Sequence, residues 1–165
     1  MRGSRRPLWR CPKCGHRFVT RNLWHSCTNH TLAEHFKGKP PALRRLFDRY
    51  LAVVRRNGPV TVIPQKSRIA FQVKVRFAGA IIRAKWIEGA MWLRRRVSDQ
   101  RFHRVEAYTP RDFGHYFRIS RAEDLDATLA TYLAEAYAIG RREHLDSKPA
   151  AAKRSRGRRP KNVAR

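Results

Sequence analysis

The chain has 165 residues, of which 42% are hydrophobic, and it carries 38 Lys and Arg against 12 Asp and Glu, a net charge of +26. This apolar content excludes a wholly disordered chain. The longest apolar run of the chain, residues 77–82, is far shorter than the ~20 residues that span a bilayer. Such an excess of positive charge attracts polyanions, and nucleic acid is the commonest of them.

The first predicted unit, residues 1–30, is rich in cysteine and histidine and contains seven basic and no acidic residues. Cys11 and Cys14 stand three positions apart in a Cys-Pro-Lys-Cys-Gly turn, and Cys27 and His30 repeat that spacing. Three sulfurs and one nitrogen form a closed tetrahedral Zn²⁺ site with no open position for water, so we expect structural zinc. His25 is the rival fourth ligand, and a redox pair at Cys11 and Cys14 is an alternative.

The second unit, residues 31–146, is predicted to be an α+β domain. We expect an antiparallel sheet of about five strands packed with two helices. Thr31 and Glu34 form a capping box that opens a short helical turn. An apolar stripe at helical spacing then predicts the first long helix, and its members are Leu43, Leu46, Phe47, Tyr50, Leu51 and Val54.

Strands are predicted between the two long helices. Apolar alternation or β-branched composition marks residues 60–63, 69–75, 77–82, 88–96, 102–108 and 113–119, with 77–82 either continuing the preceding strand or forming its own. A second capping box, Ser120 with Glu123, predicts the start of the last helix, which Gly140 closes. Trp9, Phe18 and Trp24 are expected to form a small apolar core beside the metal.

The third unit, residues 147–165, is predicted to be a disordered basic tail with eight basic and no acidic residues. Its sequence approaches the AT-hook pattern, in which Arg-Gly-Arg-Pro enters the minor groove, but Arg159 interrupts that core. The tail residues expected to contact phosphate are Lys153, Arg154, Arg156, Arg158, Arg159 and Lys161. A solubilising end without a specific partner is the alternative.

Two further basic groups are candidate nucleic-acid or anion contacts. Lys66, Arg68 and Gln72 lie at the entrance of a predicted strand, and Lys74 and Arg76 continue on the same face as Arg68 and Gln72. Arg94, Arg95 and Arg96 follow Trp92, and arginine beside an aromatic ring can stack on an exposed base. The alternative for the first group is a solvated polar face of an antiparallel sheet. The alternative for the second group is that Trp92 belongs to the core and its arginine neighbours are solvated.

Five segments of the sequence form a pattern by their order and spacing: WRCPKCGH at 9–16, HSC at 25–27, HFKGKP at 35–40, VIPQK at 62–66 and LAEAY at 133–137. Together they resemble a bacterial protein family, domain of unknown function 5655. The resemblance covers about residues 8–142 and implies a small α+β domain, sometimes preceded by a zinc-binding segment. It implies no activity and therefore no catalytic residues.

These observations predict a zinc-containing nucleic-acid-binding protein without an enzymatic role. We expect recognition mostly of the phosphate backbone, with weak sequence preference and with DNA favoured over RNA. The alternative is a module that binds an anionic small ligand or an acidic protein, with zinc purely structural. His103, His115 and Tyr116 are the candidate acid–base groups if there is an undetected enzyme. With no apolar signal segment and with unpaired cysteines, the expected location is the cytoplasm.

Overall fold

A computed structural model describes residues 7–23, 25, 27 and 29–145. The helices are α1 (Leu32–Phe36), α2 (Pro41–Arg55) and α3 (Ala127–Gly140). The strands are β1 (Trp9–Arg10), β2 (Arg17–Phe18), β3 (Thr61–Pro64), β4 (Ile69–Gln72), β5 (Arg76–Ile82), β6 (Ile87–Leu93), β7 (Phe102–Thr109) and β8 (Asp112–Ile119). The predicted tail, residues 147–165, lies outside the described residues.

Strands β3 to β8 form one antiparallel sheet in the order β3-β4-β5-β6-β8-β7. The predicted α+β class is therefore confirmed, with six strands instead of about five and with the short α1 as a third helix. The additional strand arises because the chain turns at residues 73–75, where the amide of Val73 donates to the carbonyl of Val75 at 3.2 Å. The predicted strands 69–75 and 77–82 are thus the two adjacent strands β4 and β5, and residues 73–75 form the turn between them.

The core lies between one face of the sheet and the two long helices. The apolar stripe of α2 is buried as predicted, and Tyr50 packs against Phe71 of β4 and Phe117 of β8 at ring-centroid distances of 5.5 and 6.0 Å. On α3, Tyr137 packs edge-on against Phe77 at 5.4 Å. Within the described part of the chain, no helix is both long and apolar enough to cross a bilayer.

The helix ends follow local capping chemistry. The capping box of Thr31 and Glu34 is present at α1. The predicted start of α3 at Ser120 is wrong, because the amides of Ser120 and Arg121 donate to Asp124 and close a separate 3₁₀ turn. The helix begins instead after Asp126, whose carboxylate accepts from the amide of residue 129 at 2.8 Å.

The opposite face of the sheet carries the N-terminal hairpin at one end. Strands β1 and β2 pair with each other, and the carbonyl of Arg17 in β2 accepts a hydrogen bond from the side chain of Gln72 at 2.6 Å. Gln72 and Ile63 lie on this face and are only 4% and 2% exposed. The hairpin therefore covers the β3–β4 end of the face and leaves the middle of the face open.

Candidate functional site

The turn between β1 and β2 brings the side chains of Cys11 and Cys14 close together. The amide of Gly15 donates to the carbonyl of Cys11 at 2.9 Å, and the amide of Cys11 donates to the carbonyl of His16 at 2.8 Å. Gly15 has φ of +74°, in the left-handed region that glycine adopts without strain. The Cys-Pro-Lys-Cys-Gly sequence thus folds into a tight turn that aims both thiols at one point.

Four side chains meet at this point: Cys11, Cys14, His25 and Cys27. Their potential ligand atoms all lie within 4.8 Å of one another. The Sγ atoms of Cys11 and Cys27 are 3.8 Å apart, and Nε2 of His25 lies 3.2 Å from Sγ of Cys14 and 3.4 Å from Sγ of Cys27. Tetrahedral zinc with Zn–S bonds of about 2.3 Å separates two sulfurs by about 3.8 Å, and a sulfur from a nitrogen by about 3.6 Å. The cluster therefore has the dimensions of a metal site.

The fourth member of the cluster is His25, the rival ligand, and not His30. His30 lies outside the cluster, where its Nδ1 bonds Glu34 at 2.9 Å. Because Glu34 also caps α1, this bond ties His30 to the start of that helix. The prediction of His30 assumed that the second pair of ligands has the same three-residue spacing as Cys11 and Cys14. The second pair is instead His25 and Cys27, which are two positions apart.

The ring of His25 is oriented by contacts on its far side. Its Nδ1 lies 2.6 Å from the carbonyl oxygen of Leu23, which fixes the proton on Nδ1 and leaves Nε2 free to coordinate. The ring packs at 4.4 Å from Phe18, which packs in turn at 6.1 Å from Trp9. Two members of the expected apolar core are therefore in place, and the third, Trp24, lies outside the described residues.

The pKa values of the Cys11 and Cys27 thiols are shifted in opposite directions. Desolvation acts to raise the pKa of Cys11, but hydrogen bonds from the backbone amides of Cys14 and Lys13 lower it to about 6. Desolvation, reinforced by the neighbouring sulfurs of Cys11 and Cys14, raises the pKa of Cys27 to about 11. Three thiolates in such close contact need a cation to balance them, and a bound metal ion provides one.

A cationic surface surrounds this cluster, because the fold joins two parts of the sequence that lack acids. No Asp or Glu occurs before Glu34, and none occurs between residues 49 and 87. The bond from Gln72 to the Arg17 carbonyl brings these two stretches together. We define the cationic surface as Arg10, Lys13, Arg17, Arg21, Lys66, Arg68 and Arg76, and in the described ranges no ion pair neutralises any of them.

Local contacts connect the two halves of the cationic surface. Arg76 is the strand partner of Gln72, the residue that bonds the hairpin. Burial, followed by the charges of His25 and Arg76, lowers the pKa of His16. With the amide of Gln65 oriented so that its oxygen faces Arg76, that oxygen accepts from both terminal guanidinium nitrogens at 3.2 and 3.1 Å. Burial and the charge of Arg68 lower the pKa of Arg76, although an arginine stays protonated. Arg68 and Arg76 are thus two close positive charges without a carboxylate.

The other predicted phosphate contacts lie elsewhere. Lys74 is exposed in the β4–β5 turn, at the opposite end of β4 from Lys66 and Arg68. Arg94 lies 3.7 Å from Asp112, and Arg95 binds Glu135 through two nitrogens. Arg96 is exposed, and the six tail residues lie outside the described residues. Arg68 therefore lies close to Arg76, the strand partner of the residue that bonds the hairpin, and Lys66 is exposed in the same β3–β4 turn as Arg68. The Arg94–Arg96 group follows β6 instead.

The candidate acid–base groups are not brought together. His115 is fully buried on the helix-facing side of β8, where its Nε2 accepts from the amide of Val97 at 3.0 Å and its Nδ1 faces the carbonyl of Phe113 at 3.2 Å. Burial lowers its pKa, so it is a neutral core histidine with both nitrogens satisfied. His103 is exposed on β7.

A cleft lies in the middle of the open sheet face, next to the cationic surface. Its volume is about 150 Å³, and its lining includes Arg68, Arg76, Ala90, Trp92 and Tyr116. Ala90 forms part of the cleft floor, and Tyr116 stands opposite it on the neighbouring strand. The cleft thus combines small residues, aromatic rings and two unpaired arginines.

Comparison with known proteins supports the resemblance drawn from the sequence. The profile of one family, domain of unknown function 5655, matches residues 32–140. The chain belongs to this family. No curated protein and no solved structure matches. The family segment contains the whole six-stranded sheet and the cleft, whereas the Cys/His cluster precedes it.

Sequence reasoning missed Gln65 and the small residues of the cleft floor. The long run without acids, residues 49–87, was a usable signal for the positive charge of this part of the sheet. The small residues Ala70, Gly79 and Ala90 carried no such signal, because only the strand register places them side by side. Trp92 was noted as a neighbour of the arginine cluster, but it lines the cleft instead.

Proposed function

We propose that this protein binds nucleic acid, mainly through the phosphate backbone and with DNA favoured over RNA. The observation that supports this function is the cationic surface, in which two acid-free segments meet with no carboxylate to neutralise them in the part of the chain that is described. A surface of this kind releases condensed counterions when it binds a polyanion, and this release favours association. Because no helix in the described ranges presents a row of base-reading side chains, we expect weak sequence preference.

Zinc has a structural role in this proposal. Cys11, Cys14, His25 and Cys27 would hold Zn²⁺, which would balance the thiolates and fix the hairpin that carries half of the cationic surface. All four positions are occupied by protein ligands, so the proposed role is binding and not catalysis. Thiolate ligands persist in a reducing compartment, and the proposed location is therefore the cytoplasm.

Charge reversal on the sheet tests this function. The double variant Lys66→Glu/Arg68→Glu should weaken binding of a fluorescein-labelled 20-base-pair DNA, measured by anisotropy. At 0.1 M salt each lost phosphate contact is worth roughly 8-fold in affinity. The control is Arg45→Glu/Arg49→Glu, two exposed arginines on α2, which lies against the opposite face of the sheet.

Both double variants lower the net charge by the same amount, so they separate local contact from overall attraction. We expect a loss of at least roughly 10-fold for the sheet variant and a much smaller loss for the helix variant. Equal losses would mean that only the overall charge matters, and they would remove the cationic surface from the account. Binding of an acidic protein in place of DNA would support the alternative function.

A further inference from the structure

The cleft on the open sheet face has a flat, apolar floor. Ala70 of β4 stands opposite Gly79 of β5, which stands opposite Ala90 of β6, so three adjacent strands present small residues side by side. An apolar cavity of about 150 Å³ is large enough to hold a benzene ring, and this cleft has that volume. Its floor therefore matches one flat ring of about six atoms.

Aromatic side chains border this floor. Tyr116 is held in place by a hydrogen bond from its hydroxyl to Glu106 at 3.1 Å, and the guanidinium of Arg104 covers one face of its ring at 3.7 Å. Trp92 also lines the cleft, and among the described residues no aromatic ring or guanidinium stacks on it. A flat ligand gains stacking energy in such a place.

The charges around the cleft favour an anion at its edge. Arg68 and Arg76 line one side and have no carboxylate partner in the ranges that the structure covers. The single carboxylate in the lining, Glu88, is balanced by ion pairs with Arg83 and Arg104. A ligand with a flat ring and an adjoining phosphate therefore meets complementary groups for both parts.

We propose that this cleft receives one unstacked base of a single-stranded nucleic acid, with the adjoining phosphate on Arg68 and Arg76. The inference rests on the proposed function, because the strand reaches the cleft along the cationic surface. A base in a duplex is stacked and paired and cannot enter the cleft, whereas a base in a single strand can turn onto the sheet. The partner class is therefore single-stranded DNA or another single strand with the same chemistry.

The test compares two strands that differ only in their bases. One is a 12-nucleotide oligo-dC, and the other is an abasic strand of the same length with the same phosphates. Titration of the full-length, zinc-loaded protein by anisotropy should show at least about 5-fold tighter binding of oligo-dC, which is the lower end of the contribution of one stacked base. Equal affinity for the two strands would overturn the inference.

A variant that fills the cleft provides the second comparison. Ala90→Leu should abolish the preference for oligo-dC over the abasic strand without lowering affinity for the abasic strand. Ala107→Leu, an exposed alanine on the edge strand β7, is the matched control and should keep the preference. A preference that survives in Ala90→Leu would contradict the placement of the base in this cleft.

The outcomes separate the two proposals. Salt-dependent binding of both strands with equal affinity leaves the proposed function standing and refutes the cleft alone. Failure of both strands and of the 20-base-pair DNA to bind at low salt refutes the proposed function, and the inference falls with it. Failure of the two single strands alone refutes only the inference. Free cytidine monophosphate should compete only at concentrations far above those of oligo-dC. Competition by the free nucleotide at concentrations equal to those of the strand would refute a strand as the occupant.

Discussion

Replacement of His25 by alanine should release the metal, whereas replacement of His30 should not. His25 contributes a nitrogen within 3.4 Å of two sulfurs, and its ring is held by Leu23 and Phe18. His30 is occupied by its bond to Glu34. The two histidines lie five positions apart in the same acid-free segment, so each variant is the natural control for the other.

The size of the effect follows from the number of ligands. Structural zinc in small modules contributes about 10–16 kcal/mol at neutral pH, so one ligand of four accounts for about 2.5–4 kcal/mol, or a roughly 100- to 1,000-fold change in affinity. Zinc affinity would be measured by competition with a chelator, and bound metal by elemental analysis. The reasoning is refuted if His30→Ala loses the metal and His25→Ala retains about one equivalent.

Two other predictions concern the family segment. A Cβ on Gly140 at the end of α3 would lie 2.7 Å from the ring of Phe77. Gly140→Val should therefore lower the free energy of unfolding by about 1–3 kcal/mol, with a large fall in Tm on thermal denaturation. The control is Ala134→Val, at an exposed position on the same helix, which should lower Tm much less. The pKa of Asp126 is lowered to about 2, mainly because its carboxylate accepts hydrogen bonds from Arg101. Because an Asp in an unfolded chain has a pKa of about 3.9, this stabilisation is complete above pH ~4 and is lost as the pH falls toward 2. The Tm difference between the wild type and Asp126→Asn should therefore shrink over that window, and a constant difference would contradict the ion pair.

Local signals in the sequence were sufficient for much of the fold. The capping box at Thr31 and Glu34 and the stripe of α2 depend on neighbours three or four positions apart, and both are present. The start of α3 was placed too early, because Ser120 and Asp126 compete as caps and Asp124 takes the Ser120 amide into a separate turn. Local spacing alone could not rank these caps.

The candidate sites depended on contacts between distant segments. Spacing identified the three cysteines, but the choice between His25 and His30 depends on the path of residues 23–30 and on the partner that Glu34 offers. The cationic surface depends on the bond between Gln72 and Arg17, which are 55 positions apart. The cleft floor depends on strand register. No pattern among neighbouring residues in the sequence predicts any of these three arrangements.

The salt dependence of DNA binding tests the central claim most directly. If six to ten phosphates are engaged, the affinity of the full chain for a 20-base-pair DNA should fall by roughly 10³–10⁵ between 50 and 200 mM salt. That result would mean that binding is driven by the release of counterions from the DNA phosphates. An affinity that stays constant over this range would contradict nucleic-acid binding through phosphates.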